Sequence, residues 1–106
     1  MTQTHADAAS NITHETTSSG GRFVYRAQGA EAELTYATTG ANAGATRVIA
    51  DHTYVPDSMR GQGIAARLVD ALIATARSDH WAIVPSCSYV AIAFKRHPEW
   101  SDVLAR

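Results

Sequence analysis

Six consecutive residues, Arg60-Gly61-Gln62-Gly63-Ile64-Ala65, join a cation and two glycines to the start of an apolar helical pattern. Glycine lets the backbone turn tightly and approach a ligand closely. The first N–H groups of a helix lack internal partners and carry partial positive charge. A phosphate seated there gains several hydrogen bonds together, and Arg60 can add a charge-assisted one. The same spacing suits a plain strand-to-helix turn, so the glycines alone leave both readings open.

Two more side chains can do chemistry. Cys87 follows Pro85 at the expected start of a second helix, where a helix N-terminus favours the reactive thiolate. Free cysteine also commonly serves as a small apolar filler. A histidine can take a proton from an amine, and His52 is a candidate for that role; it reads equally as an ordinary strand residue. His5, Asp7, His14 and Glu15 have metal-ligand chemistry but lie in a segment of solvated composition. No metal site is expected. Trp81 and Trp100 read as packing residues.

The elements that position these groups follow from periodicity. Residues 1–20 are rich in Thr, Ser and Ala and read as a disordered tail, removable without harm to the fold. The domain is expected over residues 21–106. Phe23 and Tyr25 alternate with Val24 and Arg26 in a first strand. Ala32, Leu34 and Tyr36 alternate with Glu31, Glu33 and Thr35 in a second. Residues 38–44 read as a loop by composition. Residues 46–55 form a longer strand stopped by Pro56. Ile64, Ala65, Leu68, Val69, Leu72, Ile73 and Ala76 recur at helical spacing, with Arg67, Asp70 and Arg77 on other faces. Residues 80–85 make a fourth strand. Residues 87–96 make a second helix, with Val90, Ala91 and Phe94 inward and Pro98 ending it. There Lys95, Arg96 and His97 suit the terminal carbonyls. The predicted fold class is α/β, a mixed sheet in the order β-β-β-α-β-α, with a right-handed crossover to a parallel strand.

Composition narrows the function classes. The chain has 106 residues and a formal net charge of −1, with all nine Lys and Arg beyond residue 21. No broad DNA- or RNA-binding surface is expected. Cys87 is the one cysteine, which excludes an intramolecular disulfide and fits a reducing cytoplasm. No apolar run is long enough to span a membrane, and the start lacks a signal-peptide pattern. So short a chain buries a modest core, which leaves room for a homodimer.

The pattern Arg60, Gly63 and Ala65 resembles the pyrophosphate-binding signature of the Gcn5-related N-acetyltransferases. The stretches DHTYVPDSMRGQGIAARLVDALIATAR and VPSCSYVAIAFKRHPEW resemble a subgroup of very short members. The resemblance covers roughly residues 21–100 and implies a compact acyl-coenzyme-A N-acyltransferase fold. It implies acetyl-coenzyme A as donor and a small-molecule or protein amine as acceptor. Arg60, Gly61, Gln62, Gly63, Ile64 and Ala65 would lie at the pyrophosphate, and Tyr54 and Val55 along pantetheine. The strands before the long helix and after it would splay apart, with His52 beside a strand bulge.

Two departures qualify the resemblance. Full-length members have an N-terminal helix pair that builds much of the acceptor site, and this chain has none before the motif. Phe94 stands where many members place a tyrosine as general acid, and phenylalanine has no proton to give. Cys87 is the substitute candidate near the reactive end of the coenzyme. Its open roles are acyl-accepting nucleophile, disulfide partner of the coenzyme thiol, or wall. The expected function is acetyl transfer, with Cys87 and His52 as catalytic candidates. The alternative is a coenzyme-A-binding or sensing module with little turnover.

Overall fold

Among the described residues, six strands form one sheet, and two helices cover one face of it. The computed structural model describes residues 5–7, 11–42 and 44–105. The strands are β1 (His5–Asp7), β2 (Ile12–Thr16), β3 (Gly20–Ala27), β4 (Ala30–Asn42), β5 (Ala45–Tyr54) and β6 (Trp81–Pro85). They lie side by side in chain order. Neighbours from β1 to β5 pair antiparallel, and β6 pairs parallel to β5. Helix α1 (Ile64–Asp79) makes the crossover, and α2 (Ser88–Arg96) follows β6. The order β-β-β-α-β-α predicted for residues 21–96 therefore holds, with two further strands in front.

Those two strands overturn the disordered-tail expectation where the chain is described. Ile12 and His14 are buried at 2% and 5% exposure. The segment 1–20 lacks a run of large apolar residues, but β3 offers it a ready ladder and a core edge. The His14 ring stacks on Phe23 at 4.3 Å and shares a 2.6 Å hydrogen bond with the Tyr36 hydroxyl. Residues 1–4 and 8–10 lie outside the described part. A second correction concerns residues 38–44, read as a loop. The β4–β5 ladder continues to Asn42↔Ala45, with a register shift between Thr38 and Ala41. Gly40, at φ 98°, lets the strand bend there.

The core lies between the sheet and both helices. Ala32, Leu34, Tyr36, Val48, Ala50 and Ile83 from the sheet meet Ile64, Leu68, Val69, Leu72, Val90 and Phe94. Fully burying each large aliphatic side chain contributes roughly 1.5–3 kcal/mol. A 3-10 segment, Pro98–Val103, adds Trp100 and Val103. Arg77 ties α1 to it through Asp102 at 3.0 Å, and Leu104 bridges to Ile83 beside β6. No helix among the described residues is long and apolar enough to cross a membrane.

Among the described residues, no helix covers the opposite face of the sheet. Directly paired residues share a face, which places Glu15, Arg22, Thr35 and His52 in one row there. Arg22 reaches Glu15 at 2.8 Å and Glu33 at 2.9 Å, and Arg26 reaches Glu31 at 2.6 Å and Glu15 at 3.0 Å. Val24 lies beneath this network at 1% exposure. Long charged side chains cover an apolar floor in this way.

Candidate functional site

The edge between β5 and β6 opens for a reason visible in the backbone. The two strands pair from Thr46↔Trp81 to Ala50↔Pro85. Pro85 has no N–H to continue the ladder, and the Ser86 N–H folds back on the Val84 carbonyl at 3.0 Å. The Cys87 N–H makes a last link to the Ala50 carbonyl at 2.8 Å. Beyond it β5 runs to Tyr54 paired with β4 alone. The splay expected between these strands is thus present. So is the bulge: Tyr36 faces Ala50 while Thr35 faces His52, leaving Asp51 as the extra residue. The Thr35 hydroxyl donates to Asp51 Oδ1 at 2.6 Å.

The glycine loop lies next to this opening. Gly61 and Gly63 adopt φ 81° and 72°, left-handed geometry that favours glycine. Gly63 is the N-cap of α1, and no side chain caps that end. The first-turn N–H groups therefore point out of the loop without a side-chain acceptor. A cavity of about 180 Å³ sits here. Val55, Arg60, Gly61, Gly63, Ile64 and Ala65 all line it, so the structure brings most of the sequence candidates together. Arg60 is exposed and pairs with Asp57 at 3.1 Å. Gln62 differs: its side chain turns back to donate to the Ser58 carbonyl at 3.3 Å. Tyr54 differs too. It pairs with Glu33, so its half-exposed ring lies on the face away from the helices.

Sequence reasoning missed three residues of this wall, Met59, Ala66 and Tyr89. Ala66 and Tyr89 line this cavity and also a second one, of about 140 Å³, between α1 and α2. The second runs past Ile92 to Arg96 and Trp100. The signal available for Tyr89 and Ile92 was their size at helix positions outside the inward set Val90, Ala91 and Phe94; the structure leaves them 41% and 49% exposed.

Cys87 and His52 occupy opposite sides of β5. Thr53 pairs with buried Leu34, so it faces the helices, and there the Cys87 thiol donates to its hydroxyl at 3.5 Å. Cys87 is the N-cap of α2 and half-buried. Burial pushes the thiol up. Once ionised, the sulfur accepts instead from the Thr53 hydroxyl and the Val90 and Tyr89 N–H groups; these bonds outweigh burial and leave the thiol below its ordinary value. His52 shares the Thr35 side and is exposed. The structure does not bring the two side by side; it sets one on each side of the end of β5 that β6 leaves unpaired.

The other candidates have structural partners. Phe94 is buried and meets Trp100 edge-on at 5.7 Å. His97 stacks on Trp100 at 4.0 Å and pairs with Glu99 at 2.9 Å. His14 and Glu15 point to opposite faces of β2 and cannot share a metal ion.

Comparison with known proteins adds to this geometry. The family model described as GCN5-related N-acetyl-transferase matches residues 22–103. Among solved structures, the chain is similar to the ribosomal-protein-alanine N-acetyltransferase of Brucella melitensis biovar Abortus 2308. The TM-score is 0.59 at 20% identity, over 76% of this chain and 62% of that one. At that identity the likeness is one of fold, and this chain spans less than two thirds of the other's length.

Proposed function

Because the chain belongs to the GCN5-related N-acetyltransferase family, we propose that it binds acetyl-coenzyme A on the helix side and transfers acetyl to a primary amine. One observation carries this reading. The uncapped N-terminus of α1 opens, through two left-handed glycines, into a cavity that adjoins a groove between the helices. The residues fit the coenzyme. Backbone N–H groups of Gln62, Gly63, Ile64 and Ala65 suit its pyrophosphate, and Arg60 can leave an exposed partner to support the charge. Val55 and the backbone of Tyr54 border the pantetheine path. The groove leads from Tyr89 to Arg96, a cation placed for a further phosphate.

Bound acetyl-coenzyme A supplies a thioester: its C–S bond breaks as the amide C–N bond forms, one ammonium proton goes to water and one ends on sulfur. The protein's own groups handle those protons. His52 takes the first from the amine on the helix-free side. Cys87 gives its thiol proton to the departing sulfur and regains one from the new amide nitrogen. Placement contributes most, since an amine held beside a thioester needs little else.

Calorimetric titration with acetyl-coenzyme A tests binding, and turnover with a panel of amines tests transfer. Absence of binding would defeat the whole reading. A second reading, a coenzyme-A-binding or sensing module, draws support from Phe94, which is buried and has no proton where a general acid is expected. Binding without turnover across the panel would favour it.

A further inference from the structure

The helix-free face of the sheet holds a cavity of about 320 Å³ that the reading above leaves unused. Its floor is made where side chains are missing or small. Gly20 and Ala37 are paired across β3 and β4, and a Cβ on Gly20 would fall 2.2 Å from the Tyr36 carbonyl oxygen. Glu15, Arg22 and Thr35 wall it, and Thr17 and Ser19 form its rim. The row Glu15, Arg22, Thr35, His52 runs straight from this cavity to the bulge. Thr35 belongs to both: it lines the cavity and donates to Asp51 at 2.6 Å.

We infer that this cavity is the acceptor site, and that it takes a compact aliphatic primary amine as its ammonium ion. The inference rests on the acetyl-transfer reading. If the donor occupies the helix side and the splay, the acceptor must arrive from the other face. Glu15, Arg22 and Thr35 are the cavity walls nearest to His52 by register. The sign of the charge selects the ligand. Three carboxylates, Glu15, Glu31 and Glu33, surround two guanidinium groups, Arg22 and Arg26, and exposed Asp51 adds a fourth acid at the His52 end. Arg47 stands two residues before Ile49, the residue opposite Ala37, as Asp51 stands two after it, so the one cation of β5 flanks the floor at the end away from His52. An ammonium group is attracted along this row toward Asp51, and a carboxylate is repelled. The alkyl part lies over Gly20 and Ala37, beside Ile49, which pairs with Ala37 and shares its face.

Backbone amide NMR on the full chain tests this directly, with n-butylammonium chloride, sodium butyrate and acetyl-coenzyme A added separately. Butylammonium is expected to shift Gly20, Gly21, Thr35 and Ala37, and butyrate to leave them unmoved. Shifts elsewhere, no shifts, or equal shifts with butyrate would overturn the inference. Acetyl-coenzyme A is expected to move residues 61–65 instead. If it moves nothing while butylammonium moves the cavity, the donor reading fails and an amine site remains. In turnover, Ala37→Leu fills the floor and is expected to raise the KM for n-butylamine about tenfold or more, with coenzyme affinity unchanged. An unchanged KM in the folded variant would remove the cavity from the reaction.

Discussion

Gly63 has open space around it: an added Cβ meets nothing within 4 Å, and the constraint is its φ of 72°. Aspartate is among the residues that tolerate left-handed geometry. Gly63→Asp is therefore expected to stay folded and to weaken acetyl-coenzyme A binding by about 1–2 kcal/mol or more, the scale of a charge at a helix end. Calorimetry on the variant checks this; unchanged affinity would take the phosphate away from the loop. Cys87 makes a prediction of definite sign. Its thiol is held below the ordinary value against the effect of burial. The thiolate therefore appears at lower pH than in a free cysteine. Alkylation by iodoacetamide should rise through a midpoint below that of free cysteine, Thr53→Val should move the midpoint up, and saturating acetyl-coenzyme A should slow labelling. A midpoint at or above the free value would refute the hydrogen-bond account, and equal rates with ligand would place the thiol away from it.

Sequence reading lost two strands, β1 and β2, and β2 is the one that enters the core. Its contribution depends on pairs rather than on its own composition: Ile12 and His14 enter a core that β3 and β4 build, and Glu15 joins Arg22 and Arg26. Gly21 shows how closely it fits. A Cβ there would fall 2.5 Å from both the Glu15 carbonyl oxygen and the Tyr36 hydroxyl. Gly21→Ala is expected to cost about 1–3 kcal/mol in chemical denaturation; a neutral result would show that β2 yields easily. The carboxyls of Glu15 and Glu31 are held below the ordinary range by the arginines, Arg26 first. The stability they add is present above the ordinary carboxylate value and lost as pH falls through their lowered values. Glu15→Gln should flatten the acid limb of Tm against pH. The helices, by contrast, were legible in the sequence, because the α1 stripe needs no partner to be seen. The bulge was legible through family likeness alone, because it depends on the β4 register. The faces of Tyr54, Thr53 and His52 follow from that register, and strand periodicity alone could not assign them.

At the scale of the molecule, the sheet begins before the motif-bearing domain expected from residue 21. Removing residues 1–17 deletes β2, exposes Phe23 and withdraws Ile12, the latter alone worth about 2–5 kcal/mol as a core truncation. A fall in Tm of many degrees is expected; an unchanged Tm would return the segment to the status of a tail. The charged network likewise explains how one face of the sheet remains open without a helix pair: Val24 has the arginine stems above it. The strand order carries a further meaning, in time rather than in space. Because neighbours in the sheet are neighbours in the chain, each strand can pair as soon as it is made, with little loop-closure cost. Every residue outside the sheet that covers the apolar face comes after β5: Val55 and Met59, then those from Ile64 onward. A chain emerging from the ribosome as far as Tyr54 thus carries a five-stranded ribbon with its oily side bare. Until α1 arrives, that intermediate is the one most exposed to aggregation and to capture by chaperones.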